Sequence, residues 1–269
     1  MEDKEVKTDF LHRILAVKHA QIGALGTPVP RPFPEGERRP FVLREGAVVA
    51  EVKRASPSQG DIDADLDPAA LAARYEAYGA SAISVLTEES FFKGSLADLD
   101  AVRAAVSLPV LRKDFVVDAR QIDETAGRAD ALLLIARLLT ADKLARFVIQ
   151  CRKNAIEPVV EIFSGEDVRT LESAIELLKR TGHGEGRLVC GINSRDLETF
   201  EVDLDNACRF AGSLPGSCVP VAFSGVHGAK DAARLRKAGL RRALVGTAAV
   251  RDPALLREIA RELSKGLAD

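Results

Sequence analysis

Eight short apolar runs, separated by longer segments with helical periodicity, constrain the fold of this 269-residue chain more than any other feature. The runs are rich in β-branched residues, as buried strands are, whereas apolar residues between them recur every three or four positions, as on one face of a helix. The runs lie at residues 47–53, 82–86, 109–112, 131–135, 158–162, 188–191, 219–222 and 243–245. This alternation predicts parallel strands joined by helices, an α/β fold.

Two observations favour a closed barrel over an open sheet. No glycine-rich dinucleotide fingerprint follows the first run, and the chain length is close to the roughly 250 residues of a (β/α)8 barrel. We therefore predict one domain over residues 1–269, in which residues 47–269 form a (β/α)8 TIM barrel. In that fold the functional side chains lie at the carboxyl ends of the strands.

Two segments fall outside the repeat. Residues 8–25 place their apolar side chains on one broad face and predict a helix, which the proline-rich stretch 28–40 cannot continue. We expect residues 1–46 to form an N-terminal extension that covers one end of the barrel. The glycine-rich stretch 179–187 predicts a flexible surface excursion after the fifth helix of the repeat.

Composition and charge argue against several classes of function. The formal net charge of -2 gives no electrostatic reason to expect a nucleic-acid partner. The cysteines lack the spacing of a metal or redox motif, so we expect reduced core thiols at Cys151, Cys190, Cys208 and Cys218. The charged N-terminus does not resemble a secretory signal, and no apolar run approaches the roughly 18 residues of a membrane span. We expect a cytoplasmic protein, a monomer or weak oligomer, with no membrane partner.

Charged side chains within the predicted strands are the first candidates for chemistry. Glu51 and Lys53 share one face of the first strand because side chains alternate with period two. By the same alternation, Lys113 and Glu161 share inward faces with apolar residues at the ends of the third and fifth strands. We expect burial to lower the pKa of Lys113 toward a value useful for proton transfer. A buried structural ion pair, or a lysine reaching out from the rim, is the alternative.

The loops after the last three strands supply candidate anion-binding groups. Asn193 and Arg195 follow the sixth strand, and the planar guanidinium of arginine suits a substrate carboxylate. The seventh and eighth strands end in small residues, at Ser224, Gly225, Gly246 and Thr247. Small residues leave backbone N–H groups open in these loops, where many barrels bind phosphate.

These segments together resemble the indole-3-glycerol phosphate synthase family, nearly from one end of the chain to the other. The resemblance rests on several long motifs in the family's order, at residues 51–58, 87–95, 111–115, 161, 191–197 and 224–225. It implies ring closure of 1-(2-carboxyphenylamino)-1-deoxyribulose 5-phosphate with loss of CO2 and water, without metal or cofactor. It also implies a phosphorylated small molecule as the substrate partner.

The resemblance assigns a role to each candidate residue. It implies that Lys113 protonates the ribulose carbonyl oxygen, and that Glu161 and Glu51 handle later proton removal and dehydration. Lys53 would lie near the phosphate and act as a second acid. The anthranilate end would be positioned by Ser56, Pro57, Asn193 and Arg195, and its ring would pack on Phe92 and Phe115. The phosphate would be held by Ser224, Gly225, Gly246 and Thr247.

Two features depart from the family pattern. The family usually has a glutamate immediately before the Ser-Gly of the seventh strand, where this chain has Phe223. The stretch 175–187 is also longer than the family's usual link into the sixth strand. We expect Phe223 to face the substrate pocket and to fill part of it. It leaves open a phosphosugar barrel with an altered substrate, an aldolase forming a Schiff base at Lys113, and a non-catalytic phosphosugar-binding barrel.

Overall fold

Eight parallel strands close into a barrel in the computed structural model, which describes residues 10–31, 33–34, 37–63 and 65–267. In chain order the barrel strands are β1 (Val48–Val52), β4 (Ala82–Leu86), β5 (Val110–Lys113), β6 (Ala131–Ile135), β7 (Glu157–Ile162), β8 (Leu188–Asn193), β9 (Cys218–Phe223) and β10 (Ala243–Val245). Each of the eight predicted runs overlaps one of these strands, which confirms the predicted (β/α)8 barrel. Two short antiparallel strands, β2 (Ala55–Ser56) and β3 (Gly60–Asp61), lie in the loop after β1.

Helices surround the barrel. They are α1 (Phe10–Ala24), α2 (Pro68–Ala77), α3 (Glu89–Phe92), α4 (Leu96–Ala105), α5 (Ala119–Thr125), α6 (Ala141–Lys153), α7 (Gly165–Arg180), α8 (Leu204–Phe210), α9 (Ala229–Lys237), α10 (Thr247–Arg251) and α11 (Leu255–Ser264). A short 3-10 turn spans Ala136–Leu138. Local capping explains where several begin: Ser164 and Asp167 form a capping box at the start of α7. The excursion predicted at 179–187 begins inside α7, so only residues beyond Arg180 form the exposed turn.

Strand side chains divide between two apolar layers because successive residues point to opposite faces. One layer packs the outer strand faces against the helices, and the other fills the barrel interior. Phe41 and Leu43 precede β1 and belong to the interior layer, together with Val49 and Leu244. All five residues of β1, including Glu51, are buried. The inward-facing charged residues Glu51, Lys113 and Glu161 therefore lie above an apolar floor, which strengthens their electrostatic interactions.

Helix α1 lies over the carboxyl end of the barrel, as the predicted extension does. It buries Phe10, Ile14 and the aliphatic part of Lys18, whose Nζ lies 2.6 Å from Oδ1 of Asp114, directly after β5. Lys18 and Arg112 both form ion pairs with the Asp114 carboxylate. Burial alone would raise the pKa of Asp114, but these two cations outweigh it and lower the pKa to about 2. The part of the predicted helix before Phe10 lies outside the described residues. The ion pair anchors α1 beside the end of β5, which carries Lys113.

No described helix is long and apolar enough to cross a membrane. Within the described ranges, no group of three His, Cys, Asp or Glu side chains is arranged to hold a metal ion. The four cysteines are free thiols, and three of them are buried, at Cys151, Cys190 and Cys218.

Candidate active site

A cavity that is partly open to solvent lies at the carboxyl ends of the barrel strands. Most of the side chains predicted from the sequence line it: Glu51, Lys53, Ser56, Pro57, Phe92, Lys113, Phe115, Glu161, Asn193, Arg195 and Ser224. Phe223, Gly225, Gly246 and Thr247 do not. The cavity therefore joins residues from separate strands that only a closed barrel can bring together.

The carboxylate of Glu51 bridges two lysines at one side of the cavity. Its Oε1 lies 2.9 Å from Nζ of Lys53, and its Oε2 lies 3.0 Å from Nζ of Lys113. Burial by itself would raise the pKa of Glu51, but the two lysines outweigh it and lower the pKa to about 2. Glu51 is therefore ionised throughout the neutral range.

Lys113 is held in its charged form, contrary to the expectation from the sequence. Burial acts to lower its pKa, as predicted, but the negative charges of Glu51 and Glu161 outweigh burial and raise the pKa of Lys113. The prediction of a lowered pKa was wrong because period-two alternation shows which side chains face inward, but not how closely the carboxylates approach. A charged Lys113 is a proton donor in the resting site.

Glu161 has a different environment on the opposite side of the cavity. Nδ2 of Asn193 donates a hydrogen bond of 2.9 Å to Glu161 Oε1, and no lysine or arginine lies within salt-bridge distance among the described residues. Burial raises the pKa of Glu161, and the attraction of Lys113 and the Asn193 hydrogen bond compensate only in part. Of Glu51 and Glu161, only Glu161 has a pKa shifted toward the protonated form, which makes it the better proton carrier of the two in the resting site.

Arg195 connects two loops across the cavity mouth. One guanidinium nitrogen donates to Oγ of Ser58 at 3.1 Å, in the loop after β1, and to the main-chain carbonyl of Phe200 at 3.0 Å. The backbone N–H of Arg195 donates to Oδ1 of Asn193 at 3.0 Å, which fixes the orientation of that amide. Burial lowers the pKa of Arg195, while the charge of Glu51 opposes the change. The remaining guanidinium hydrogens face a cavity that can hold a carboxylate.

Aromatic side chains form the apolar wall. The ring centroids of Phe92 and Phe115 lie 6.2 Å apart, as the prediction of a shared ring site requires. Sequence reasoning missed Phe10 and Phe200, which also line the cavity and whose centroids lie 4.9 Å apart. The sequence marked Phe10 as apolar on an N-terminal helix, but nothing local placed that helix over the cavity.

The predicted phosphate loops lie at the ends of β9 and β10. Ser224 and Gly225 both have left-handed backbone conformations, with φ of 63° and 77°. A serine in that conformation is uncommon and typically occurs at functional turns. A Cβ atom at Gly246 would lie 2.6 Å from Glu51 Oε1 and 2.8 Å from Nζ of Lys53, so a side chain at this position would displace both charged groups.

Phe223 lies below the cavity and does not line it. The side chain is only 2% exposed and belongs to the apolar interior of the barrel. A Cβ atom at Gly191 would lie 2.4 Å from Cε2 of Phe223, so the ring occupies the space that a side chain at position 191 would fill. The expectation that Phe223 fills part of the substrate pocket differs from this geometry, because Gly191 leaves room for the ring in the barrel interior. Its expected place among the substrate-binding residues stays a prediction.

Known proteins match this chain over most of its length. The sequence profile of a family described as indole-3-glycerol phosphate synthase matches residues 25–263. Proteins with that name from Desulfosudis oleivorans and Geobacillus thermodenitrificans are similar to it. The first is 44% identical over 222 residues, which cover 82% of this chain and 80% of the relative. The second is 39% identical over 259 residues, which cover 94% and 96%.

Proposed function

Because the chain belongs to the indole-3-glycerol phosphate synthase family, we propose how its own side chains divide the work of the family reaction. That reaction closes the pyrrole ring of 1-(2-carboxyphenylamino)-1-deoxyribulose 5-phosphate and releases CO2 and water. The chain is an enzyme of this kind, a carboxy-lyase of tryptophan biosynthesis.

Lys113 is the general acid of ring closure. The observation that carries this assignment is its ion pair with Glu51 at 3.0 Å on the inner face of the barrel, which holds the amine charged before substrate arrives. As the aryl carbon attacks the ribulose carbonyl carbon, negative charge develops on the carbonyl oxygen. Lys113 donates its proton to that oxygen, and the adduct then loses CO2 to restore the aromatic ring.

Proton loss from Lys113 prepares the next step. The positive charge of Lys113 is a principal reason that the pKa of Glu51 is low, so a neutral Lys113 raises the proton affinity of Glu51. Dehydration requires one group to protonate the departing hydroxyl and another to remove a proton from the sugar-derived carbon. We assign this exchange to Glu161 and Glu51, with Lys53 as a second acid.

Charge and shape complementarity orient the substrate. Arg195 receives the anthranilate carboxylate, with Ser56, Pro57 and Asn193 beside it, and the aromatic ring packs against Phe92 and Phe115. The phosphate binds at the opposite end of the cavity, between Lys53 and the loops that contain Ser224, Gly225, Gly246 and Thr247. The three cations of the cavity, Lys53, Lys113 and Arg195, supply partners for the two anionic groups of the substrate.

The aldolase alternative requires an unprotonated Lys113. Schiff-base formation begins with attack of a neutral amine on a carbonyl carbon, and the raised pKa of Lys113 disfavours that form. Borohydride treatment during turnover tests this distinction, because it traps a Schiff base as a stable adduct. We expect no adduct at Lys113.

The test of the proposed function is direct. We expect purified protein given the carboxyphenylamino-deoxyribulose phosphate to produce indole fluorescence and to release one CO2 per product. A protein that binds the substrate without releasing CO2 would contradict the proposal. Turnover only after Phe223→Glu would show instead that the natural chain takes another substrate.

We also infer that residues 1–269 fold as one domain and act in the cytoplasm as a monomer or weak oligomer. The α1 contact with Asp114 supports the single domain, since it ties the N-terminal extension to the barrel. One cooperative unfolding transition and a monomeric mass at micromolar concentration are the expected results.

A further inference from the structure

Asn206 is a buried amide that does not line the cavity, although both of its N–H groups point toward the strands that carry the site. It lies in α8 and is 5% exposed. Its Nδ2 donates to the main-chain carbonyl of Phe163 at 2.8 Å and to that of Asn193 at 2.9 Å. The two hydrogens of the Asn206 amide therefore bond to carbonyls at the ends of two different strands, β7 and β8.

Those two carbonyls lie where the pairing of β7 and β8 stops. The last paired residues of the two strands are Ile162 and Ile192. Phe163 and Asn193 come directly after them, so the amide of Asn206 extends the connection between the strands by one step. The other side of β8 is held one step further by β9, where Asn193 pairs with Phe223, so the Asn206 amide supplies the corresponding link on the β7 side.

The link is adjacent to the hydrogen bond that sets the environment of Glu161. Asn193 donates to Glu161 from its side chain and accepts from Asn206 at its main chain. We propose that Asn206 is a positioning residue for the reaction: it holds the ends of β7 and β8 together and thereby maintains the Asn193–Glu161 hydrogen bond. The proposal rests on the proposed function, in which Glu161 exchanges a proton.

Helix capping does not account for this amide. The side chain of Asp203 caps α8 by accepting from the N–H of Asp205 at 2.9 Å. The oxygen of the Asn206 amide accepts from Arg209 at 3.1 Å, which orients its N–H groups toward the strands. Asn206 therefore stabilises the strand ends and not the start of its own helix.

If Asn206 is replaced and the Asn193–Glu161 hydrogen bond is lost, we expect the pKa of Glu161 to rise further. Lys113 attracts the ionised form of Glu161, Glu51 and Asp167 repel it, and the Asn193 hydrogen bond stabilises it. Without that hydrogen bond, less opposes the effect of burial, which raises the pKa of Glu161. The limb of the pH–rate profile that reports Glu161 therefore moves to higher pH.

Asn206→Ala tests the proposal, with Asn154→Ala as the matched control. Asn154 also buries part of an amide, which donates to Asp123 at 2.8 Å on the outside of the barrel. We expect Asn206→Ala to lower kcat on the order of 10-fold with little change in KM, because the bound substrate meets a displaced Glu161. The control keeps the parent's kcat and pH profile.

Two further measurements keep the test decisive. Asn206→Leu keeps a similar volume but removes both donors without adding a charge, and we expect it to match the alanine variant. In an Asn193→Ala background, Asn206→Ala should cause little further loss, because both substitutions remove the same hydrogen bond. A variant that melts earlier but retains the parent's kcat and pH profile would overturn the proposal.

Titration of the Glu161 carboxyl carbon by NMR separates this inference from the proposed function. It reads the pKa of Glu161 in the protein without substrate. An unchanged Glu161 titration in both Asn206 variants contradicts the positioning role, even in a protein that turns over. Absence of turnover in the parent contradicts the proposed function alone.

Discussion

The two carboxylates of the cavity have opposite environments, and the difference assigns them different roles. Glu51, on the β1 side, contacts Lys53 and Lys113, and the two lysines lower its pKa to about 2. Glu161, on the β7 side, accepts from the neutral amide of Asn193, and burial raises its pKa. Equal burial thus has opposite outcomes because only Glu51 has close cations. In the resting site Glu51 organises charge and Glu161 is the better proton carrier, and Glu51 joins the proton exchange only after Lys113 has lost its proton.

The charge of Lys113 acts on both Glu51 and Glu161, so its removal should have the largest effect on the difference between the two carboxylates. Lys113→Met abolishes the proton donor and one of the two contacts of Glu51. We expect it to lower kcat at least ~10²-fold while leaving substrate binding largely intact, the usual scale for a general acid. Steady-state assays and equilibrium binding of the substrate measure the two effects separately.

Lys153→Met is the matched control, because Lys153 is exposed at the end of α6. It makes the same change of side chain without touching the cavity, and we expect the parent's kcat. Equal rates for Lys113→Met and the parent would remove Lys113 from its assigned role.

Unfolding of Glu51→Gln and Glu161→Gln compares the two carboxylates directly. A pKa of about 2 in place of an ordinary 4.5 corresponds to stabilisation of about 3 kcal/mol when Glu51 is ionised. This stabilisation is complete above the unfolded pKa and is lost as pH falls toward the folded pKa. We expect Glu51→Gln to lower the free energy of unfolding by about that amount at pH 7, and by much less near pH 3.

Glu161→Gln should behave in the opposite way. A raised folded pKa stabilises the protein below the unfolded pKa, and that contribution is lost as pH rises through the folded pKa. We therefore expect equal or greater stability than the parent at pH 7. Urea unfolding at both pH values measures these differences, and Glu176→Gln on the exposed face of α7 is the control. Equal losses for both cavity variants at pH 7 would break the contrast.

Local rules were enough to predict part of this arrangement. Period-two alternation placed Glu51, Lys53 and Lys113 on inner faces because it depends only on strand geometry. The sign of the Lys113 pKa shift could not be read in the same way, since it depends on distances to carboxylates on other strands. The contribution of Phe10 also depends on tertiary packing, which brings α1 over the cavity.

The position of the Phe223 ring in the barrel interior also depends on tertiary packing that the sequence does not show. Parity along β9 predicted that its ring faces inward, but the sequence did not reveal that the ring turns below the cavity. The reason lies on the neighbouring strand, where Gly191 leaves room for it. Gly191 is also the register partner of Glu161. The aromatic ring thus adds to the apolar surroundings on the Glu161 side of the barrel interior.

Gly191→Ala tests that placement and should have the smallest effect. The new methyl group would lie 2.4 Å from the Phe223 ring, so one of the two must move. We expect a loss of about 1–3 kcal/mol in the free energy of unfolding, typical of overpacking, and partial recovery in the double variant with Phe223→Leu. Gly212→Ala is the control, since a Cβ there meets nothing within 4 Å.

The same variant also tests whether the two sides of the cavity respond separately. If the Phe223 ring moves toward the cavity, the limb of the pH–rate profile that reports Glu161 shifts while the Glu51 titration stays in place, because Gly191 pairs with β7 and not with β1. A shift of both titrations would show that the two sides of the cavity respond as one, and the contrast between them would have to be abandoned.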